Sequence, residues 1–339
     1  MRRFVSSRTL SRIFPGSAAL ALWSLLLAVP ACSGDLKKSA WDDIETPDFS
    51  GPQPGADDPD ARMWRYADDF YPADPADLYR NVVGLMRDVQ APARRPAAAV
   101  LTPHASLTFS GEVQAAVLAR VEVPGVVIVL ASDHDLKGSP MAVWDQGPWL
   151  IPGYAVPVDR ALVSELQSRI PALAAEEAPF ESHPAELQVV FLPVLNPDTR
   201  IVVIAFADNS RNHFRDFTYE RVGEVGAALA AFMRDLEAAG EEVLLLTTTD
   251  LVHREPLETT RAKDAILRDY IAALDVRGLY DYVTGGQISI CGEIPTAIMM
   301  STLRALGHTE MEIVAESDSF VGNGDADSVT GYLGGIAWR

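Results

Sequence analysis

The sequence predicts an α/β fold of three layers, in which a mostly parallel, mixed central sheet carries helices on both faces. From about residue 64, apolar β-branched runs alternate with stretches of helical periodicity. The strand-like runs are also apolar throughout and lack the alternation of a strand with one face in water. Both faces of the sheet therefore need a cover, which is typical of a three-layer α/β domain.

Four strands are predicted in chain order, at 97–103, 125–132, 200–207 and 242–250. The helical stretches are 74–90, 111–121, 157–168, 214–239, 257–275 and 292–306. The stretch 214–239 has the clearest period, because apolar side chains recur there every three or four residues. They are Val222, Val225, Leu229, Phe232 and Leu236. No internal repeat or second linker interrupts these elements, so a single domain over 64–339 is expected.

Residues 1–31 have the pattern of a cleaved export signal of the lipoprotein type. Four arginines precede an apolar run at 18–29, and such a run of about twelve residues is too short to span a bilayer. The segment LAVPAC is similar to a bacterial lipobox, in which cleavage leaves Cys32 as a lipidated N-terminus. Residues 32–63 then form the lipidated cysteine and an acidic tether rich in Pro and Gly. The expected location is the periplasm or cell envelope of a bacterium.

The charge of the chain restricts its partners. The formal net charge is −19, and loss of residues 1–31 removes four arginines and no acid, which brings the charge to −23. Such a chain repels phosphate backbones and anionic head groups, so nucleic acid is excluded as a partner. Contact with a membrane is expected through the N-terminal lipid anchor alone. The charge leaves open which small molecule or protein the domain binds.

Residues with metal-binding or acid–base side chains follow three of the predicted strands. In α/β sheets, ligands gather at the carboxyl ends of strands. A histidine at a strand end is often only a hydrogen-bonded structural residue, and Asp250 could equally cap the next helix. Together, these imidazoles supply the nitrogen donors that iron, copper and zinc prefer. The residues at the strand ends are His104, Asp133, His134, Asp250 and His253.

Cys291 is the only cysteine after residue 32. A lone thiol in an exported chain indicates pairing between chains or a thiol kept for chemistry. Cys291 precedes Gly292 and an expected helix start, and a helix N-terminus favours the thiolate, the form that binds metal. The structural alternative is a small buried hydrophobic residue. His183 and Glu186, one helical turn apart, belong either to the same site or to a solvated pair.

Seven segments resemble, in order, the motifs of the MEMO family, which includes the bacterial AmmeMemoRadiSam system protein B. TPHASLTFSG is similar to PHAGYxYSG, LASDHD to GPSHH, and ICGEIPTAI to CGxxPIxxl. The others are ADDFYPADPADL, SHPAELQVVFLPVL, TTTDLVH and GNGDADSVTGY. Each motif alone is weak, but seven in order over residues 64–339 are specific.

The resemblance implies a fold akin to the class III extradiol ring-cleaving dioxygenases and a centre of two histidines and one cysteine. Carried over by motif, the metal ligands are His104, His134 and Cys291, with iron or copper as the metal and zinc as a further option. The resemblance also implies that four residues line the pocket, orient ligands and move protons. They are His183, Glu186, Asp250 and His253. A second ligand set, His104, His134 and Glu186, would form the two-histidine, one-carboxylate triad of non-haem iron oxygenases.

Three departures from the family pattern change the pocket wall and keep the implied ligands. GPSHH has become ASDHD, which places Asp135 where the second histidine stands, PHAGY has become PHASL, and SDFxHYG has become TDLVHRE. The first expected function is therefore a redox metalloenzyme of unknown substrate. The second is a module that binds a metal or ligand without catalysis, because a shared fold hosts unrelated activities. The third is a zinc hydrolase that uses Asp133, His134 and Asp250.

Overall fold

The computed structural model describes residue 41 and residues 45–89, 93–208, 214, 216–286 and 288–339. The predicted signal peptide at 1–31 and the predicted lipidation site at Cys32 lie outside these residues. Within them, no helix combines the length and the apolar character that crossing a membrane requires.

The described residues contain strands and helices in alternation. The strands are β1 (Ala97–Thr102), β2 (Val126–Asp133), β3 (Met141–Val143), β4 (Trp149–Ile151), β5 (Tyr154–Val156), β6 (Ala174–Ala175), β7 (Arg200–Ala207), β8 (Val243–Thr248), β9 (Glu312–Asp318) and β10 (Gly331–Trp338). The helices are α1 (Pro75–Asp88), α2 (Leu107–Leu118), α3 (Arg160–Arg169), α4 (Pro184–Val189), α5 (Leu192–Leu195), α6 (Tyr219–Ala238), α7 (Leu257–Ala272), α8 (Val276–Gly285), α9 (Glu293–Leu306) and α10 (Ser319–Asn323).

The strands form an eight-stranded sheet with the order β6-β3-β7-β2-β8-β1-β10-β9, and β4 pairs with β5 in a separate hairpin. The four neighbours β7, β2, β8 and β1 are parallel, whereas β3 and β10 pair antiparallel with β7 and β1. This mostly parallel, mixed sheet confirms the predicted fold class. Because the four parallel strands point the same way, their carboxyl ends meet along one edge.

Apolar clusters cover both faces of the sheet. One cluster contains side chains of α6, α7 and α9, and the other contains side chains of α1, α2 and α4. Every residue of β2 is buried, and its neighbours in sequence enter opposite clusters, as Ile128 and Val129 do. Burial on both faces explains why the strands are apolar throughout.

All four predicted strands are present, and each predicted helical stretch contains a helix. Side-chain caps set two of the helix starts: Asp74 accepts from the Asp77 N–H before α1, and Thr218 accepts from the Arg221 N–H before α6. The sheet partners β9 and β10 were not predicted. Their sequences, EIVAESD and GYLGGIAW, are acidic and glycine-rich, so neither has the apolar pattern of a strand.

Most of the described part of the predicted tether is exposed, and a few of its side chains contact the domain. The Phe49 ring lies 5.5 Å from the Tyr154 ring, and Gln53 Nε2 donates to the Tyr154 carbonyl oxygen over 2.8 Å. Arg62 is only 4% exposed and extends the β4 edge through its backbone N–H, which donates to Pro148. Isolated contacts of this kind produce no hydrophobic periodicity in a stretch rich in Pro and Asp. The composition alone therefore predicts a solvated segment.

Candidate metal centre

Residues of four segments meet at the carboxyl edge of the parallel strands. The strands β1, β2 and β8 end just before His104, His134 and Asp250, respectively. Cys291 joins this edge because its backbone exchanges two hydrogen bonds with Asp250, of 3.1 and 3.2 Å. The strand ends therefore bring these residues together, as their positions in the sequence predict.

His104 occupies the centre of the cluster and is 1% exposed. Its backbone N–H donates to Asp250 Oδ1 over 2.8 Å, its Nδ1 lies 3.0 Å from Thr248 Oγ1, and its Nε2 lies 3.2 Å from Cys291 Sγ. Gln188 Nε2 donates to the same Thr248 Oγ1 over 3.1 Å. These contacts fix the ring with Nε2 toward the thiol.

A second imidazole faces the same thiol. His253 Nε2 lies 3.2 Å from Cys291 Sγ, and its Nδ1 lies 2.8 and 2.9 Å from the carbonyl oxygens of Leu251 and Ser289. Carbonyl oxygens only accept hydrogen bonds, so Nδ1 holds the ring proton. The lone pair of Nε2 is therefore directed toward the thiol, where it can accept the Sγ proton.

Two sets of side chains place their ligand atoms within 4.8 Å of one another, and His104 belongs to both. The first set is His104, Asp250 and Cys291, in which Asp250 Oδ2 lies 3.9 Å from His104 Nε2. The second set is His104, His134 and His183, whose ring centroids lie 4.9 to 5.7 Å apart. The three ligands that the resemblance implies are thus divided between two adjoining sets that share one imidazole.

The glycine after the cysteine determines where the thiol points. Gly292 has a φ of 103°, in the left-handed region that glycine adopts without strain. A Cβ at this position would lie 2.6 Å from Thr249 Oγ1 and 2.7 Å from the Thr248 carbonyl oxygen. The turn therefore packs directly against the end of β8, and only glycine fits between the thiol and α9.

Two buried carboxyl groups behind this turn were not found from the sequence. Asp208, the first residue after β7, is fully buried, and its Oδ2 accepts from the Ile294 N–H over 2.9 Å. Its side chain also hydrogen-bonds the buried Glu293 carboxyl, and burial raises the pKa of both groups above their ordinary values. Two adjacent buried carboxyls share a proton. The position of Asp208 at a strand end is the signal that could have identified it.

Burial keeps the imidazoles of His104, His134 and His183 and the thiol of Cys291 uncharged. It lowers the pKa of His104 and of His183 to about 3, and it lowers the pKa of His134 well below 6.5, with neighbouring imidazoles as the second cause. Burial raises the pKa of the Cys291 thiol well above its ordinary value, and the Asp250 carboxylate raises it further. These two effects outweigh the stabilisation of the thiolate that was expected from the N-terminus of α9. The imidazoles are neutral, which is the form that binds metal.

The donor set fits a divalent transition metal. Neutral imidazoles and one thiolate are the nitrogen and sulfur ligands that iron, copper and zinc accept. The thiolate and the Asp250 carboxylate together would balance two positive charges in a buried site, where a single uncompensated charge is costly. A bound cation would therefore lower the pKa of the Cys291 thiol, which is opposite to the effect of burial.

Two residues expected to take part in chemistry have other partners. The Glu186 carboxylate is fully buried and accepts from Arg62, Tyr71 and two backbone N–H groups, which argues against the ligand set that includes it. The Asp133 carboxylate accepts from the N–H groups of Asp135 and Lys137 in the turn after β2. Neither residue is in the two sets found among the described residues.

Asp264 supports the loop that carries Asp250 and His253, and it gives the fold a dependence on pH. Its Oδ1 accepts from the Val252 N–H over 3.0 Å, and burial, together with nearby acids, raises its pKa to about 7. In the unfolded chain the value is about 3.9, so the folded state binds the proton more tightly and loses stability as pH rises from about 4 to 7.

We expect Asp264→Asn to be more stable than the wild type at pH 8, by about 2 kcal/mol after allowance for the solvent that reaches this half-buried group. The Asn oxygen still accepts from the Val252 N–H, so the two proteins should be equally stable near pH 4. Urea unfolding at pH 4, 6 and 8 measures the difference, with Asp269→Asn as a control because the Asp269 side chain is 72% exposed. A wild type that is the more stable protein at pH 8 contradicts the prediction.

The chain was compared with protein families, with individual proteins and with solved structures. A family model described as "Memo-like protein" matches residues 62–336. A MEMO1 family protein of Thermotoga petrophila is 31% identical over 241 residues, which are 70% of this chain and 81% of the relative. A MEMO1 family protein of Methanothermobacter thermautotrophicus is 27% identical over 274 residues, 78% of this chain and 95% of the relative. The crystal structure of an uncharacterized protein from Escherichia coli K12 aligns with a TM-score of 0.47 and 17% identity, over 69% of this chain and 98% of that one.

Proposed function

This chain belongs to the Memo-like protein family, and from that premise we propose that its domain binds one redox-active metal ion, iron or copper, through His104, His134 and Cys291. Zinc is the alternative metal. We further propose that the protein is an exported lipoprotein anchored at Cys32, on the strength of the basic leader, the apolar run at 18–29 and the segment LAVPAC.

One observation supports the metal site above all others. The Cys291 thiol lies 3.2 Å from an imidazole nitrogen of His104 and 3.2 Å from one of His253. Only 3% of the surface of Cys291 is exposed. A thiol that serves only as a buried hydrophobic residue has no need of two imidazoles with their nitrogens toward it. A thiolate in this position is a metal ligand, and the imidazole of His104 is the second.

The protein's own residues prepare the site for chemistry. A redox metal, when bound, supplies one-electron transfer and polarises an oxygen-containing ligand. His253 Nε2 accepts the proton that Cys291 Sγ gives up as the thiolate forms, and Asp250 stabilises the imidazolium that results because its Oδ2 lies 3.9 Å from the same Nε2. Asp250 also holds the backbone of His104 in place. His183, which is neutral and partly buried, lines the approach to the ligands.

Metal analysis of the soluble domain tests this function. We expect the chain that begins after Cys32, purified without a chelator, to contain close to one equivalent of iron or copper. Metal-free protein should take up Fe(II) or Cu(I) in the same ratio. Oxygen consumption with catechol and thiol substrates then tests for catalysis. A domain that is isolated empty and takes up none of Fe(II), Cu(I) and Zn(II) contradicts the proposal.

The second candidate function is a metal- or ligand-binding module without catalysis. One observation favours it: Asp135 replaces the second histidine of the family motif, and its side chain, 47% exposed, pairs with Lys137 over 3.1 Å. The position thus contributes to the surface and supplies no imidazole to the site. Full metal occupancy without oxygen consumption would support this function over the enzyme.

A further inference from the structure

Glu186 holds a segment of the N-terminal chain beside the histidines. Its carboxylate, fully buried, accepts from Arg62 Nη1 over 2.6 Å, from the Tyr71 hydroxyl over 2.5 Å and from the Tyr66 N–H over 2.9 Å. The Arg65 N–H also donates to it, over 3.0 Å. One side chain of α4 thus fastens both ends and the middle of residues 62–71.

The fastened segment places two aromatic rings against His183. The Phe70 ring centroid lies 4.7 Å from that of His183, and the Tyr66 centroid lies 5.4 Å from it. The two rings also contact each other at 5.3 Å, and the Tyr66 hydroxyl donates to the Glu181 carbonyl oxygen over 2.8 Å. A further tie comes from Leu107 at the start of α2, whose N–H donates to the Phe70 carbonyl oxygen over 3.0 Å. We call Tyr66 and Phe70 the aromatic roof.

Burial of the ion pair between Glu186 and Arg62 has an energetic cost, which suggests that the pair has a role beyond packing. A carboxylate and a guanidinium that leave water lose their hydration, and good geometry with further hydrogen bonds offsets this loss. A pair of apolar residues would pack residues 62–71 as well. The ion pair also fixes the orientation of residues 62–71, because four donors converge on the two carboxylate oxygens. In this orientation both rings of the aromatic roof contact the imidazole of His183.

We propose that Glu186 is a positioning residue, which through the aromatic roof sets His183 beside His104 and His134 and limits the size of the ligand that reaches the metal. The inference rests on the proposed metal site and adds a selection by ligand size to it. A small ligand passes between the histidines, whereas a bulky planar ligand collides with Phe70. Glu186 acts through the segment that it holds and does not contact the ligand.

Two imidazole probes test the limit on size. In the cobalt-loaded domain, we expect imidazole to bind at least about tenfold more tightly than 4-phenylimidazole. Phe70→Ala should reduce this preference to about twofold or less and leave the metal content unchanged. Phe49→Ala is the matched control, because Phe49 belongs to the same N-terminal region but packs on Tyr79 and Tyr154. A preference that is absent in the wild type, or unchanged in Phe70→Ala, overturns the proposal.

A second measurement needs no metal and separates this proposal from the proposed function. Hydrogen exchange in metal-free protein reports the N–H groups of Arg65 and Tyr66, which donate to Glu186. Glu186→Ala should speed their exchange at least about tenfold, and Glu186→Gln should speed it less, because the amide oxygen still accepts. Equal exchange in Glu186→Ala and the wild type overturns the positioning role even if the domain binds metal. An empty domain whose Arg65 and Tyr66 amides respond in this way refutes the metal site alone.

Discussion

Cys291→Ser is expected to lower the affinity for iron or copper by at least about 100-fold. Mutation of residues that only hydrogen-bond to a metal ligand lowers metal affinity by about 10- to 100-fold, and removal of the ligand itself should have a larger effect. The serine hydroxyl occupies nearly the same volume but does not ionise near neutral pH, so the soft anionic donor disappears. The fold should survive, since the thiol is neutral when the protein binds no cation and the substitution removes no buried charge. Metal content after dialysis against a competing chelator measures the loss.

His134→Ala extends the test to the second set of donors. It should also lose metal, whereas His308→Ala should keep the wild-type content, because His308 lies two residues beyond the C-terminal end of α9, and Cys291 precedes the N-terminal end of that helix. In the presence of a chelator, the unfolding temperatures of all three variants should stay within a few degrees of the metal-free wild type, because bound metal itself stabilises the fold. Full metal content in both Cys291→Ser and His134→Ala contradicts the site. Loss in His134→Ala alone would assign the metal to His104, His134 and His183.

The fold and most of the site follow from local patterns in the sequence. A strand that is buried on both faces is apolar at every position, and the first polar side chains after it lie at the sheet edge. That rule places His104, His134 and Asp250 together without any knowledge of tertiary contacts. Cys291 follows no predicted strand, and only its place in the motif ICGEIPTAI associates it with the others.

The functions of other residues depend on partners far along the chain, and no local pattern contains them. Glu186 stands in a motif of the family and one turn from His183, which made it an apparent participant in chemistry. Its carboxylate instead binds Arg62, 124 residues away. Similarly, Asp208 contacts the first turn of α9, 86 residues away. In both cases a buried carboxyl group needs hydrogen-bond partners, and those partners determine what the residue does. Burial is a property of the folded chain and cannot be read from a local stretch of sequence.

The largest change in stability is expected from Arg62→Met. The guanidinium is buried, lies 4.1 Å from the centre of the Trp149 ring and pairs with Glu186 over 2.6 Å. Its removal leaves a carboxylate without its counter-charge in the interior, which costs about 3–5 kcal/mol. The unfolding temperature should fall on the order of 10 °C. Thermal unfolding in the presence of a chelator measures the effect on the metal-free fold.

Two further variants show that the loss comes from the uncompensated charge. Arg65→Met removes an arginine three residues away whose side chain is 51% exposed and lies 3.6 Å from Glu181, so it should cost less than about 0.5 kcal/mol. In Arg62→Met with Glu186→Gln, the remaining amide is neutral and its oxygen still accepts from Tyr71 and the backbone. This pair should recover most of the lost stability, because replacement of both partners avoids the buried charge. A double variant no more stable than Arg62→Met would mean that the packing of Arg62 on Trp149, and not the ion pair, holds residues 62–71.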